Sequence, residues 1–252
     1  MKFKDHFSGH AEQYAQFRPR YPESLFSYLA LLAPARELAC DCATGNGQAA
    51  VGLGAHFERV VATDASPQQI ERAEPHPRVE YRVAPAENSG LPADSADLVT
   101  VAQALHWFDI PAFFAEARRV LRLGGVIAVW AYNLLGITPE VDALVSRFYF
   151  ETTAPFWPPE RVIVESGYRD LEFPFAKITP PLFEMSARWN LEQLLGYLRT
   201  WSATQKFIRA RGFDPVGTLG AELCYVWQLA AAARVVRWPL SLLVGRKNRL
   251  AG

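Results

Sequence analysis

Between about Pro34 and Asn133 the chain alternates short β-rich runs with helical ones, and that alternation leaves few architectures open. The β-rich runs are ELACDC (37–42), RVVATD (59–64), RVEYRVA (78–84), ADLVTVAQ (96–103) and VIAVWAYN (126–133). The intervening GQAAVGLGAHF (47–57), SPQQIERAE (66–74) and PAFFAEARRVLRLGG (111–125) have helical spacing. Ser66 reads as an N-cap with Pro67 at the first helical position, and Gly124 and Gly125 read as the stop of the third helix. Strands joined by helices of this length pair in parallel through right-handed crossovers, so an α/β, doubly wound sheet is expected.

The texture changes after Asn133. Residues 134–175 carry helical stretches broken by PFWPPE (155–160) and many aromatics. AKITPPLFEMSARW (176–189) alternates as one strand, NLEQLLGYLRTWSATQKFI (190–208) reads as one helix capped by Asn190, residues 217–235 as another, and RWPLSLLVGRK (237–247) as a closing strand. The two late strands suit an antiparallel C-terminal hairpin that brings a mostly parallel sheet to seven strands, with a helical, aromatic cap between them. The expected organisation is one domain in three parts: an N-terminal lid (1–33), a binding core (34–133), and a cap insert with the final strands (134–252).

Composition excludes several partners. Lys+Arg and Asp+Glu are both 26 in 252 residues, so charge offers no basic face for nucleic acid or an anionic membrane. No apolar run is long enough for a membrane span, and the first residues lack the apolar core of a signal peptide, so a cytoplasmic protein is expected. Cys40, Cys42 and Cys224 lack the companions of a metal site and read as reduced core residues, so no metal is expected.

The segment DCATGNGQAA (41–50) places Gly45 and Gly47 just beyond the first strand, where an open α/β sheet binds ligands. Gly45-x-Gly47-x-x-Ala50 fits the dinucleotide fingerprint, and Asp64, roughly 20 residues on, stands where an acid grips ribose hydroxyls. An adenosine-type ligand follows. Asp41 at the strand end disfavours a pyrophosphate and favours an ammonium group, and there is no Tyr-x-x-x-Lys pair of a short-chain reductase. S-adenosylmethionine meets these demands. A nicotinamide dinucleotide oxidoreductase and a catalytically silent cofactor-binding module are the alternatives.

DCATGNGQAA (41–50), VVATDASPQQIERA (60–73), RVAPAENSGLPADSADLVTVAQALHWFD (82–109) and EARRVLRLGGVIAVWAYN (116–133) resemble, in order, the motifs of class I S-adenosylmethionine-dependent methyltransferases of the type 11 branch. HFSGHAEQYAQFRPRYP, QALHWFD, YLRTWSATQKF and WPLSLLVGRK are similar to a narrower trans-aconitate methyltransferase-like subgroup acting on small carboxylates. The resemblance implies that Asp41 and the Ala43–Thr44–Gly45–Gly47 backbone hold the methionine portion of the cofactor. It implies that Asp64 binds the ribose, that Ala65 packs on adenine, that Ala86 and Glu87 meet the adenine edge, and that Gln103 lies beside the sulfonium. Pro85 stands where the family often has an acid, and Ala43 where many members have Gly.

Methyl transfer asks chiefly for alignment and exclusion of water. His106 is the candidate base, with two further readings: a substrate contact, or a wall with Trp107 around the methionine end. Tyr14 can cover the sulfonium by a cation–π contact, and Arg18 or Arg20 can fork a carboxylate. Trp157 and Trp201 belong to the aromatic segment expected to cap the acceptor site. The expected function is O-methylation of a carboxylate or hydroxyl on a small organic acceptor, with no nucleic acid or membrane partner.

Overall fold

The computed structural model describes residues 19–249. The elements in chain order begin with α1 (Glu23–Leu32), β1 (Leu38–Cys42), α2 (Gln48–Gly54), β2 (Arg59–Asp64), α3 (Pro67–Glu71), β3 (Val79–Val83), β4 (Ala96–Ala102), α4 (Ile110–Val120) and β5 (Leu121–Tyr132). They continue with α5 (Pro139–Arg147), α6 (Arg161–Glu165), β6 (Ala176–Ile178), β7 (Glu184–Trp189), α7 (Leu191–Arg199), α8 (Ser202–Arg211), α9 (Pro215–Trp227) and β8 (Arg234–Arg246). The sheet runs β3-β2-β1-β4-β5-β8-β6, with β7 on β8. Strands β1 to β5 pair in parallel, and β8 is antiparallel to β5, β6 and β7. This is the expected doubly wound architecture.

The central strands are apolar almost throughout because both faces are covered. One face packs α1, α2 and the late helices around Trp130, and the other packs α4 around Phe113 and Val99. Ser66 Oγ accepts the Gln69 N–H at 3.4 Å with Pro67 opening α3, as its sequence signals require. Asp109 caps α4 in the same way, accepting the Ala112 N–H at 3.2 Å.

Several expectations are corrected. The third helix stops at Val120, not at Gly124: Leu121 is already extended and pairs with Ala96 as the first residue of β5. Residues 176–189 form two short strands, both on β8, which makes eight strands. The helix read over 190–208 breaks at Thr200–Trp201 into α7 and α8. Cys40 and Cys42 are buried, but Cys224 is exposed. Residues 23–32 of the expected lid are the core helix α1, with Leu25 and Leu29 fully buried against α2 and β5. Just before it, Pro19 O accepts from Gln48 Nε2, and Tyr21 meets Trp130 edge-on at 5.4 Å.

β8 reaches past the sheet. Its second half pairs with β5, from Leu240 opposite Tyr132 to Arg246 opposite Val126. Its first half, 234–239, therefore projects beyond the carboxyl end of β5 and there carries β7. Helix α7 packs on β7, and α8 and α9 pack on α7, so the cap stands on the carboxyl edge of the parallel strands. No described helix is long and apolar enough to cross a membrane.

At the opposite edge, Asp97 of β4 is fully buried. Its Oδ2 accepts the N–H groups of Glu37 (2.9 Å) and Leu38 (3.0 Å), and Oδ1 pairs with Arg122 at 3.0 Å. One carboxylate thus registers β1 and β5 on β4. Asp97→Ala strips the partner from two N–H groups and a cation, and is expected to cost on the order of 3 kcal/mol in urea denaturation, with Asp97→Asn costing less.

Candidate functional site

The chain winds from β1 to β3 on one side of the sheet and crosses to β4 on the other, which opens a crevice beyond the carboxyl end of β1. The turn that lines it is left-handed at Ala43 (φ 52°), Gly45 (56°) and Gly47 (86°). For Ala43 that backbone is strained, and fixed partners hold it. The Thr44 N–H donates to Thr63 O at 2.9 Å, and Asp64 Oδ2 accepts the Gly45 N–H at 2.9 Å. Asp64 Oδ1 accepts the Ser66 N–H at 2.9 Å, so one acid joins the glycine turn to the start of α3.

The two glycines serve different ends. A Cβ on Gly47 would strike Tyr81 Oη, so this glycine is required by packing inside the protein. A Cβ on Gly45 would meet only Gln69 Oε1 at 4.0 Å, so this position fronts the crevice.

Asp41 is fully buried at the head of the crevice. Thr100 donates to its Oδ1 at 2.7 Å, while Oδ2 has no hydrogen-bond partner in the fold. Burial pushes the carboxyl up to about 6; the nearby hydroxyls of Thr44 and Thr100 and the Ala50 backbone oppose the shift, and the charge of Asp64 adds to it. A buried carboxylate with one oxygen unsatisfied suits a cationic group on a ligand.

Ala65 is half-buried beside Asp64, and Ala86 is buried beyond β3. Two further expected residues, like Asp64, make hydrogen bonds within the fold. Glu87 Oε1 accepts the Asp109 N–H at 2.9 Å and so supports the start of α4. The Gln103 amide makes two 2.9 Å hydrogen bonds with the backbone of Tyr132, so its side chain is a strut between β4 and β5, and its backbone (φ 57°) forms the bend.

His106 and Trp107 follow on a single 3₁₀ turn, with ring centroids 4.6 Å apart. His106 is buried and its Nδ1 has no partner in the fold. Burial, and after it the charge of Arg161, lower its imidazole to about 3, so it is neutral at physiological pH. A group this weakly basic is a poor general base and a serviceable hydrogen-bond acceptor. The cap reaches the site here, because α6 packs on this turn. Trp157 and Trp201 lie 5.7 Å apart, and Tyr149 is 4.9 Å from the first and 5.6 Å from the second. Tyr14 and Arg18 lie outside the described residues; Arg20 is spent on an exposed ion pair with Glu74. Tyr149 belongs to the aromatic segment expected to cap the site, whereas Thr100, Tyr81 and Arg161 were not anticipated. Only Arg161, next to an aromatic PFWPPE stretch, carried a local signal.

Residues 40–129 match the Methyltransf_11 family, a methyltransferase domain. A Dictyostelium discoideum protein named as a methyltransferase is 38% identical over 254 residues, spanning 98% of this chain and 97% of that protein. A Saccharomyces cerevisiae protein named as an S-adenosylmethionine-dependent methyltransferase is 29% identical over 136 residues, 50% of this chain and 45% of that one. The solved structure of a type II methyltransferase from Anaeromyxobacter dehalogenans superposes with a TM-score of 0.88 at 49% identity, covering 92% of this chain and 99% of that one.

The raised Asp41 carboxyl has a consequence for stability. The native group binds its proton more tightly than the unfolded one, whose ordinary value is 3.8, so stability falls as pH rises through about 6. Without ligand, Asp41→Asn should be more stable than wild type at pH 7.5, by up to on the order of 3 kcal/mol, and show no such gain near pH 3.5. Urea denaturation at the two pH values checks this.

Proposed function

Because the chain belongs to the class I S-adenosylmethionine-dependent methyltransferases, we propose that it methylates an oxygen of a small organic acceptor held under the aromatic cap. The observation that carries this reading is the Tyr149–Trp157–Trp201 cluster, which joins through α6 to the His106 turn on the strand edge that holds Asp41. Such a site is mostly apolar with a few polar groups, as small-molecule pockets are.

S-adenosylmethionine is the family's cofactor, and the residues present fit it. The unsatisfied Oδ2 of Asp41 suits its ammonium group, and the open side of Gly45 lets it approach the backbone. Asp41 and the Ala43–Gly47 backbone would hold the methionine portion, Asp64 the ribose, and Ala65 and Ala86 the adenine. When bound, the cofactor supplies a methyl carbon already activated by its sulfonium. The chain's own residues then have to orient the acceptor and keep water out. Neutral His106, with Nδ1 unpartnered in the fold, would offer that nitrogen to the acceptor, and with Trp107 it would wall the site. An acceptor that arrives as an anion needs no base, which suits so weakly basic a histidine.

Calorimetry with S-adenosylhomocysteine, followed by labelled methyl transfer to a panel of carboxylic acids and phenols, tests the reading. Binding with turnover on a member of the panel supports it. Binding without turnover on any acceptor favours a silent cofactor-binding module. Affinity should also depend on Asp41: below pH 6 the acid protonates and loses its pull on the ammonium, so binding weakens by up to about tenfold per pH unit. Asp41→Asn should bind weakly with a flat profile, and a flat wild-type profile would overturn the Asp41 assignment.

A further inference from the structure

Arg161 opens α6, directly after the Trp157–Pro158–Pro159 turn. Its guanidinium lies 4.6 Å from the Trp157 ring centroid and 5.7 Å from that of Tyr149. Its Nε donates to Tyr149 Oη at 2.9 Å, and Tyr149 Oη donates to Glu165 Oε1 at 2.6 Å. The side chain is therefore braced at Nε and stacked on aromatic faces. Among the described residues no carboxylate lies within ion-pair distance of it, whereas Arg119, Arg122, Arg147 and Arg199 each have one.

The positive charge is felt inside the site. It bears on His106, and on the buried Tyr168 Oη, whose proton is held well above the usual tyrosine range by burial. Near it, His106 Nδ1, Trp157 Nε1 and Tyr168 Oη are buried and lack hydrogen-bond partners in the fold. Asn133 is tied to α6 through its Nδ2, which donates to Val164 O at 2.9 Å. Unsatisfied polar atoms from the turn after β4 and from the cap thus gather about one cation.

We propose that Arg161 is the anchor for an anionic group of the acceptor, a carboxylate received by the two free guanidinium nitrogens beside Trp157 and His106. This deepens the methyltransferase reading and rests on it, because it takes the cap as the acceptor pocket. The terminal nitrogens of an arginine braced at Nε form the planar fork that matches a carboxylate, and the aromatic walls limit competition from water. Glu165 does not neutralise the fork, since it is exposed and meets Tyr149 rather than Arg161. The same cation excludes an acceptor that carries an ammonium near the cap.

The full chain, saturated with S-adenosylhomocysteine, is titrated by tryptophan fluorescence with acids from butyrate to 3-phenylpropionate, each beside its uncharged amide. Trp157 and Trp201 report on the cap. At least one acid should bind saturably and at least about tenfold more tightly than its amide. Arg161→Gln should erase the preference while leaving cofactor affinity unchanged, and Arg161→Lys should restore part of it. The proposal is overturned if no acid binds below about 10 mM, if acid and amide bind alike, or if Arg161→Gln keeps the preference. Failure of the wild type to bind S-adenosylhomocysteine would count against the methyltransferase reading, and the acid–amide comparison without cofactor still decides the role of Arg161.

Discussion

Strand β1 is paired in parallel on both sides, by β2 and by β4, and everything chemical in this protein follows from where that strand ends. The winding runs outward from β1 through β2 to β3 and then returns to β4 on the other side of β1, and at such a reversal the carboxyl end of the strand opens into a crevice. Asp41 occupies that end, held by Thr100 from the neighbouring strand and short of one partner. The fold tolerates an uncomfortable carboxylate at this point, and Asp64 and Thr63 of β2 fix the turn just beyond it. Stability and ligand recognition therefore meet in the same few residues.

The charges are arranged with economy. An acid lies at the root of the crevice, a cation lies in the cap, and a histidine on the turn where α6 meets the sheet edge is kept neutral by burial and by that cation. Opposite charges placed at the two ends of an apolar site distinguish the ends of what enters it, and fields in such a place are stronger than in water. The neutral imidazole adds direction without adding charge.

The winding was legible because its signals are local. Ser66 and Pro67 announce α3 within a few residues, and the apolar runs of β1, β2 and β4 follow from burial on both faces. What could not be read depends on distant partners. Leu121 becomes strand because Ala96 pairs with it, against a helical pattern running on to Gly124. Gln103 and Glu87 stand where ligand contacts were expected, but the backbones of Tyr132 and Asp109 claim their side chains. Gly47 looks in sequence like a glycine for a ligand, and Tyr81, some thirty residues later, is what requires it. Arg161 takes its meaning from Tyr149 and Trp157, which no sequence period connects to His106.

β8 completes the sheet with one half and supports the cap with the other. The lines of force between the two halves of the site thus run through a single continuous backbone, with Pro239 and Leu240 at the handover. The glycine turn, by contrast, is braced by Thr63 and Asp64 of β2, by Tyr81 of β3 and by the Glu74 N–H, which donates to Asn46 O at 2.9 Å. The late helices nevertheless share one apolar core with α1 and α2 around Trp130, so a change of side-chain volume in the cap is felt on that face of the sheet as well.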